Sequence, residues 1–172
     1  MSNFQFYLEK LYASEDFQKF REENKDAYLC SCFFVKDLEK NNDKQNFDFF
    51  IPSTKKMFSF QIESNCERVP VENFGDKIPE KVDDNHSFTF EEIEKLIVEK
   101  MEKENIKSKL QRILLSLQCK NGKDFLLGTV FISSMGMIKI SIDLDKMNIV
   151  DFEKKSFLDM FRVSHKNARD KD

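Results

Sequence analysis

Four cysteines, two histidines and two acidic clusters are the groups in this 172-residue chain whose types and spacing could do chemistry. Cys30 and Cys32 alternate along an apolar run, which puts both sulfurs on one face of a strand, and with Cys66 and Cys119 they could compose a four-thiolate zinc site. Structural zinc ligands usually come from turns, however, and this pair sits inside a strongly apolar strand, so buried, reduced core thiols are the favoured reading. His86 lies in Asp83-Asp84-Asn85-His86, just ahead of a helix. A metal held by Asp83, Asp84, His86 and Glu91 would suit a small metal-dependent or hydrolytic enzyme. An acidic loop in water, drawn to the positive end of the helix, explains the same residues. The other histidine, His165, lies in the C-terminal tail.

Asp143, Asp145, Asn148 and Asp151 offer oxygen ligands near a strand end, but the central Gly and the closing Glu of a calcium loop are missing. No Gly-x-Gly-x-x-Gly, phosphate loop, nucleophile elbow or His-Glu-x-x-His pattern occurs. No cofactor is therefore expected, and an enzyme is disfavoured.

The elements that must position these groups follow from periodicity. Ser2 and Gln5 have the form of a capping box, after which Phe4, Tyr7, Leu8 and Leu11 recur at helical spacing. The apolar phase slips at Ala13-Ser14, which predicts a kink with Ser14 as a second N-cap and a helix end near Lys25. Residues 27–37 read as a buried strand. The alternations Phe47, Phe49, Ile51 and Phe58, Phe60, Ile62 read as two more. Thr89 and Glu92 form another capping box ahead of a helix carrying Ile93, Leu96, Ile97 and Met101. Three strands follow, over Ile113 to Cys119, Phe125 to Ile132 and Ile138 to Leu144, with Asn121-Gly122 as a type I′ hairpin turn. Phe157, Leu158, Met160 and Phe161 predict a short closing helix.

The expected fold is α+β in two layers, an antiparallel sheet of about six strands with helices on one face, in the order α-βββ-α-βββ-α with a pseudo-repeat. Residues 1–163 would make one domain. Its halves, 1–64 and 87–152, are joined by an irregular connector at 65–86, and a charged tail occupies 164–172. The outer face of that sheet should carry Ser59, Gln61, Arg112, Leu114, Ser116, Gln118, Lys139 and Ser141. Phe50 and Leu114 are unexpected on a fully wet face, so this is the predicted surface for a protein or peptide partner, or for a second copy of the chain.

A net charge of −3, with 34% charged residues of both signs, speaks against nucleic-acid binding by the sheet, which is kept as a second alternative. With no spanning apolar stretch, no export signal and thiols that read as reduced, the chain is expected in the cytoplasm.

Residues 88–152, from Phe88-Thr-Phe-Glu-Glu-Ile to Ile140-Ser-Ile-Asp-Leu-Asp-Lys-Met-Asn-Ile-Val, resemble a PepSY unit, although Lys146-Met147-Asn148 departs from that family's usual Thr-Gly turn. The resemblance implies a non-catalytic unit associated with peptidase inhibition and protein binding. The order of elements over the whole chain also looks like that of type III secretion chaperones, small acidic dimers that hold partner segments in extended form, as an analogy of topology. Both resemblances imply a binding module rather than an enzyme.

Overall fold

Two helices, rather than one kinked one, open the chain in the computed structural model, which describes residues 3–72 and 77–156. Asn3, not Ser2, caps the first: its side chain accepts from the N–H of Phe6, and α1 spans Phe4–Tyr12. Ser14 caps α2 (Glu15–Glu23) by accepting from the N–H of Phe17, at the point where the apolar phase slips. β1 (Tyr28–Asp37), β2 (Lys44–Ile51), β3 (Lys56–Gln61) and β4 (Glu67–Val71) follow as an antiparallel meander. The capping box at Thr89 and Glu92 closes in both directions and starts α3 (Phe90–Lys103). A second meander is built from β5 (Leu110–Lys120), β6 (Lys123–Ile132), β7 (Gly136–Asp143) and β8 (Asn148–Ser156).

The two meanders join in one eight-stranded sheet in the order β4-β3-β2-β1-β5-β6-β7-β8. This corrects the expectation of about six strands in the order α-βββ-α-βββ-α: the described order is αα-ββββ-α-ββββ. Both extra strands are edges, and edge strands carry the weakest patterns. β4 holds Pro70, which supplies no N–H to a ladder, and it takes residues 67–71 out of the segment expected to be an irregular connector. β8 carries Asp151, Glu153, Lys154 and Lys155 and a bulge in its pairing with β7, which breaks its apolar pattern after Ile149, and none of its residues is buried. The expected closing helix at 157–161 and the tail at 164–172 lie outside the described residues.

The helices cover one face, and that face is largely phenylalanine. Phe4, Phe34, Phe47, Phe88 and Phe90 meet in tilted, stacked and edge contacts, and Phe17, Phe20, Phe49, Phe58 and Phe60 form a second group under α2. Gly128 is needed where it stands, because a Cβ there would lie 2.6 Å from Ile140 Cγ1 on β7. Asn121 and Gly122 both take positive φ, as the type I′ turn requires.

Two hairpins use one device. In Asp37-Leu38-Glu39-Lys40, Asp37 Oδ1 accepts from the N–H groups of Glu39 (3.1 Å) and Lys40 (2.9 Å), and the chain turns left-handed at Asn41. In Asp143-Leu144-Asp145-Lys146, Asp143 Oδ1 accepts from Asp145 (3.0 Å) and Lys146 (3.1 Å), and Met147 turns left-handed. The Asp143 carboxylate is thus engaged by its own turn, while Asp145, Asn148 and Asp151 are exposed. The N–H of Lys40, aided by the Arg112 guanidinium, holds the Asp37 carboxyl below the usual range.

Phe60 is fully buried and its ring meets those of Phe17, Phe20 and Phe49, so Phe60→Ala should cost about 3–5 kcal/mol in urea unfolding. Phe6, 54% exposed on α1, is the control, and Phe6→Ala should cost less than about 1 kcal/mol.

Candidate functional site

The face of the sheet turned away from the helices is open at its centre. Strand pairing aligns its side chains in rows: Asn46, Phe33, Ser116, Leu127, Ser141 and Asp151 stand across β2, β1, β5, β6, β7 and β8. The next row holds Val35, Leu114, Thr129, Lys139 and Glu153. Phe33 is 38% exposed and Leu127 40%, both on central strands. Together with Leu114 they floor an open groove of about 430 Å³ that Ser116, Thr129, Lys139, Ser141 and Asp151 border.

Four of the eight residues expected on a binding face, Leu114, Ser116, Lys139 and Ser141, therefore come together in this groove. Gln118 lies beside it and donates to Ser116 Oγ at 2.8 Å. Arg112 lies at one end, where it binds Asp37 Oδ2 at 2.7 Å next to a smaller cleft of about 220 Å³. Ser59 and Gln61 lie on β3, two strands beyond β1, and Ser59 is buried, accepting from Asn46 Nδ2. Phe50 is buried too, its ring against Tyr28, whose hydroxyl donates to the carbonyl of Pro79.

Sequence reasoning missed Phe33 and Leu127, and named Asp151 only as an oxygen ligand near a strand end. A usable signal lies in the apolar doublets Phe33-Phe34, Leu114-Leu115 and Leu126-Leu127: on a strand, each doublet must send one side chain to the core and the other to the opposite face. Three such doublets on adjacent strands make a patch.

The acidic loop before α3 is a polar strap. Asp83 Oδ1 accepts from the N–H of Asn85, and Asp84 Oδ2 accepts from the Tyr12 hydroxyl. His86 Nε2 lies 2.7 Å from Asp124 Oδ2 on β6, and the N–H of Asp83 donates to the same oxygen at 2.8 Å. Gln5 on α1 donates to the carbonyls of Asp84 and His86, and Glu80 accepts from the N–H groups of Asn121 and Gly122 in the β5–β6 turn. The strap ties α1, β6 and a hairpin tip together, and its carboxylates face different partners.

The cysteines do not converge either. Cys30 donates to the carbonyl of Asp48 and Cys66 to that of Lys10, and all four thiols are free. Among the described residues no three His, Cys, Asp or Glu side chains are grouped to hold a metal ion. Burial pushes the Cys30 thiol up to about 12 and the Cys119 thiol, which also bonds to Asp124, up to about 11.

Since the thiolate is the nucleophile, alkylation of Cys30 and Cys119 in the folded protein at pH 8 should be at least about tenfold slower than in the urea-unfolded chain, read by mass spectrometry. The same shifts make stability fall as the pH rises above about 9, because the unfolded chain then loses thiol protons that the native chain keeps. Asp124→Ala leaves the N–H of Asp83 without its acceptor and should cost about 1–3 kcal/mol, with faster amide exchange over 82–86.

No protein-family model matches the chain, and no curated protein matches it. Among solved structures, a "putative lipoprotein" from Clostridium difficile 630 superimposes with a TM-score of 0.56 at 14% identity, over 82% of this chain and 91% of that one. The likeness establishes a shared fold. Among the described residues no helix is long and apolar enough to cross a membrane.

Proposed function

We propose that the chain is a non-catalytic protein-binding module that takes its partner on the open sheet face. The observation that carries this reading is the exposure of Phe33 and Leu127 on central strands, where they floor the groove with Leu114. Scattered exposed apolar residues are ordinary, but a contiguous patch rimmed by polar groups is the usual mark of a contact surface. Ser116, Thr129, Lys139, Ser141 and Asp151 supply donors and acceptors of both signs around the apolar floor. Such a rim suits a protein segment that inserts a large apolar side chain and satisfies its backbone at the edge.

The face is favoured over the edges. β4 is five residues long and carries Pro70, and β8 combines a bulge with four charged side chains, the devices by which sheets prevent strand addition. The resemblances to PepSY units and to secretion chaperones belong to this proposal as further grounds for a binding role. A cytoplasmic location is also part of it, supported by four unpaired thiols, three of them buried.

The test places a photo-crosslinking phenylalanine analogue at Phe33 or Leu127 of the full chain in cells, with Val71 on β4 and Val150 on β8 as edge controls. Discrete protein adducts from positions 33 and 127, and none from 71 and 150, are expected. Adducts from the edges alone, or none from the face, overturn the proposal.

A further inference from the structure

Lys139 and Asp151 border the groove and stand outside the ion pairs around it. Nearby charges are engaged: Arg112 binds Asp37, and Lys155 lies 3.5 Å from Glu153, whereas neither Lys139 nor Asp151 belongs to an ion pair among the described residues. One such cation and one such anion beside an apolar patch make a self-complementary surface, the kind a two-fold interface needs.

The register says where the axis would run. Lys139 stands opposite Glu153 and Asp151 opposite Ser141, so Lys139 and Asp151 are diagonal neighbours on β7 and β8. With strands about 4.8 Å apart and same-face residues about 6.8 Å apart along a strand, the line bisecting that diagonal passes close to Leu127 and continues beside Gln118. A two-fold axis lying in the interface along this line turns each copy's Lys139 toward the other's Asp151. It sets Leu127 against its counterpart and carries Phe33 to the start of β6 on the second copy, between Phe125 and Lys123. The strands of the two sheets then cross steeply, as in orthogonal sheet packings.

We infer that the partner on the open face is a second copy of the chain, in a two-fold, face-to-face dimer held by two Lys139–Asp151 ion pairs around a Leu127 contact. The inference rests on the binding-face reading and names its occupant.

Size-exclusion chromatography with light scattering on the full chain, over a dilution series, tests it. The wild type is expected at twice the chain mass. Lys139→Glu and Asp151→Lys each set two like-charge contacts across the axis and should each weaken the homodimer by more than about tenfold. An equimolar mixture of the two single variants should recover the dimer as a heterodimer. In it, the carboxylate introduced at position 139 of one copy faces the ammonium introduced at position 151 of the other, and the remaining native Asp151 faces the remaining native Lys139. The double variant, in which opposite charges face each other again, returns to the wild-type constant. Thermal melts of every variant confirm that the fold is kept. A wild-type monomer throughout the series overturns the dimer, and so does a dimer indifferent to both single charge reversals or a mixture that stays as weak as its components. In each case, crosslinks from position 127 to another protein would leave the binding-face reading standing, and their absence as well would remove both.

Discussion

The antiparallel pairing of β1 with β5, from Ser31 opposite Gln118 to Asp37 opposite Arg112, is the contact on which the rest of the structure depends. Without it the chain is two four-stranded meanders, each with one long apolar edge and too few helices to cover it. With it, the meanders become one sheet with one core, in which Phe34 from β1 and Leu115 from β5 stand side by side under the helices. The pairing joins residues about eighty apart in sequence, so closing that loop costs entropy that only the assembled core returns. The strap from Glu80 to His86 supports the same junction with polar contacts. It bonds to β1 through Val82 and Leu29, to β6 through Asp124 and to α1 through Gln5.

The helices and the inner strands are legible in the sequence because each carries a period that a buried face imposes. The Thr89 and Glu92 box, the slip at Ser14 and the Asn121-Gly122 turn are local signals with local causes, and the structure uses all three. The edge strands are illegible for a physical reason. A strand paired on one side only, with a proline or with charges on successive residues, needs no fully buried face to hold its place, and no described residue of β4 or β8 is buried. Six strands are countable from periodicity, and eight follow only from knowing that the meanders must end in protected edges.

The chemistry-bearing residue types mislead for a related reason. Asp37 and Asp143 close turns, Asp124 anchors a strap and Glu80 caps a hairpin tip, and each takes at least two backbone or side-chain donors. Among the described residues no buried side-chain nitrogen or oxygen lacks a hydrogen-bond partner. With only four glycines in the chain, few turns can be made by backbone freedom alone, and left-handed positions fall to Asn41, Asn65, Asn105 and Asn121 as well as to bulkier residues. Carboxylates stabilise such turns by accepting the N–H groups that the turn exposes. Acidic clusters at strand ends are therefore a consequence of glycine-poor hairpins, and they resemble metal sites only while their partners are unknown.

What remains unassigned by architecture is the open face. A two-layer fold covers a sheet on one side, and the other side is ordinarily kept polar, because each large apolar side chain left in water forgoes about 1.5–3 kcal/mol of burial. Here the apolar doublets on β1, β5 and β6 give the core one residue each and hand the other to the open side. On the outer strands of that face the residues in the row of Phe33 and Leu127 are Gln61, Asn46, Ser141 and Asp151, so an ordinary wet surface is within the reach of this sequence. Folding alone does not explain an apolar centre within a polar surround. The proposed contact with another protein surface would, since it would recover the burial that an uncovered face forgoes.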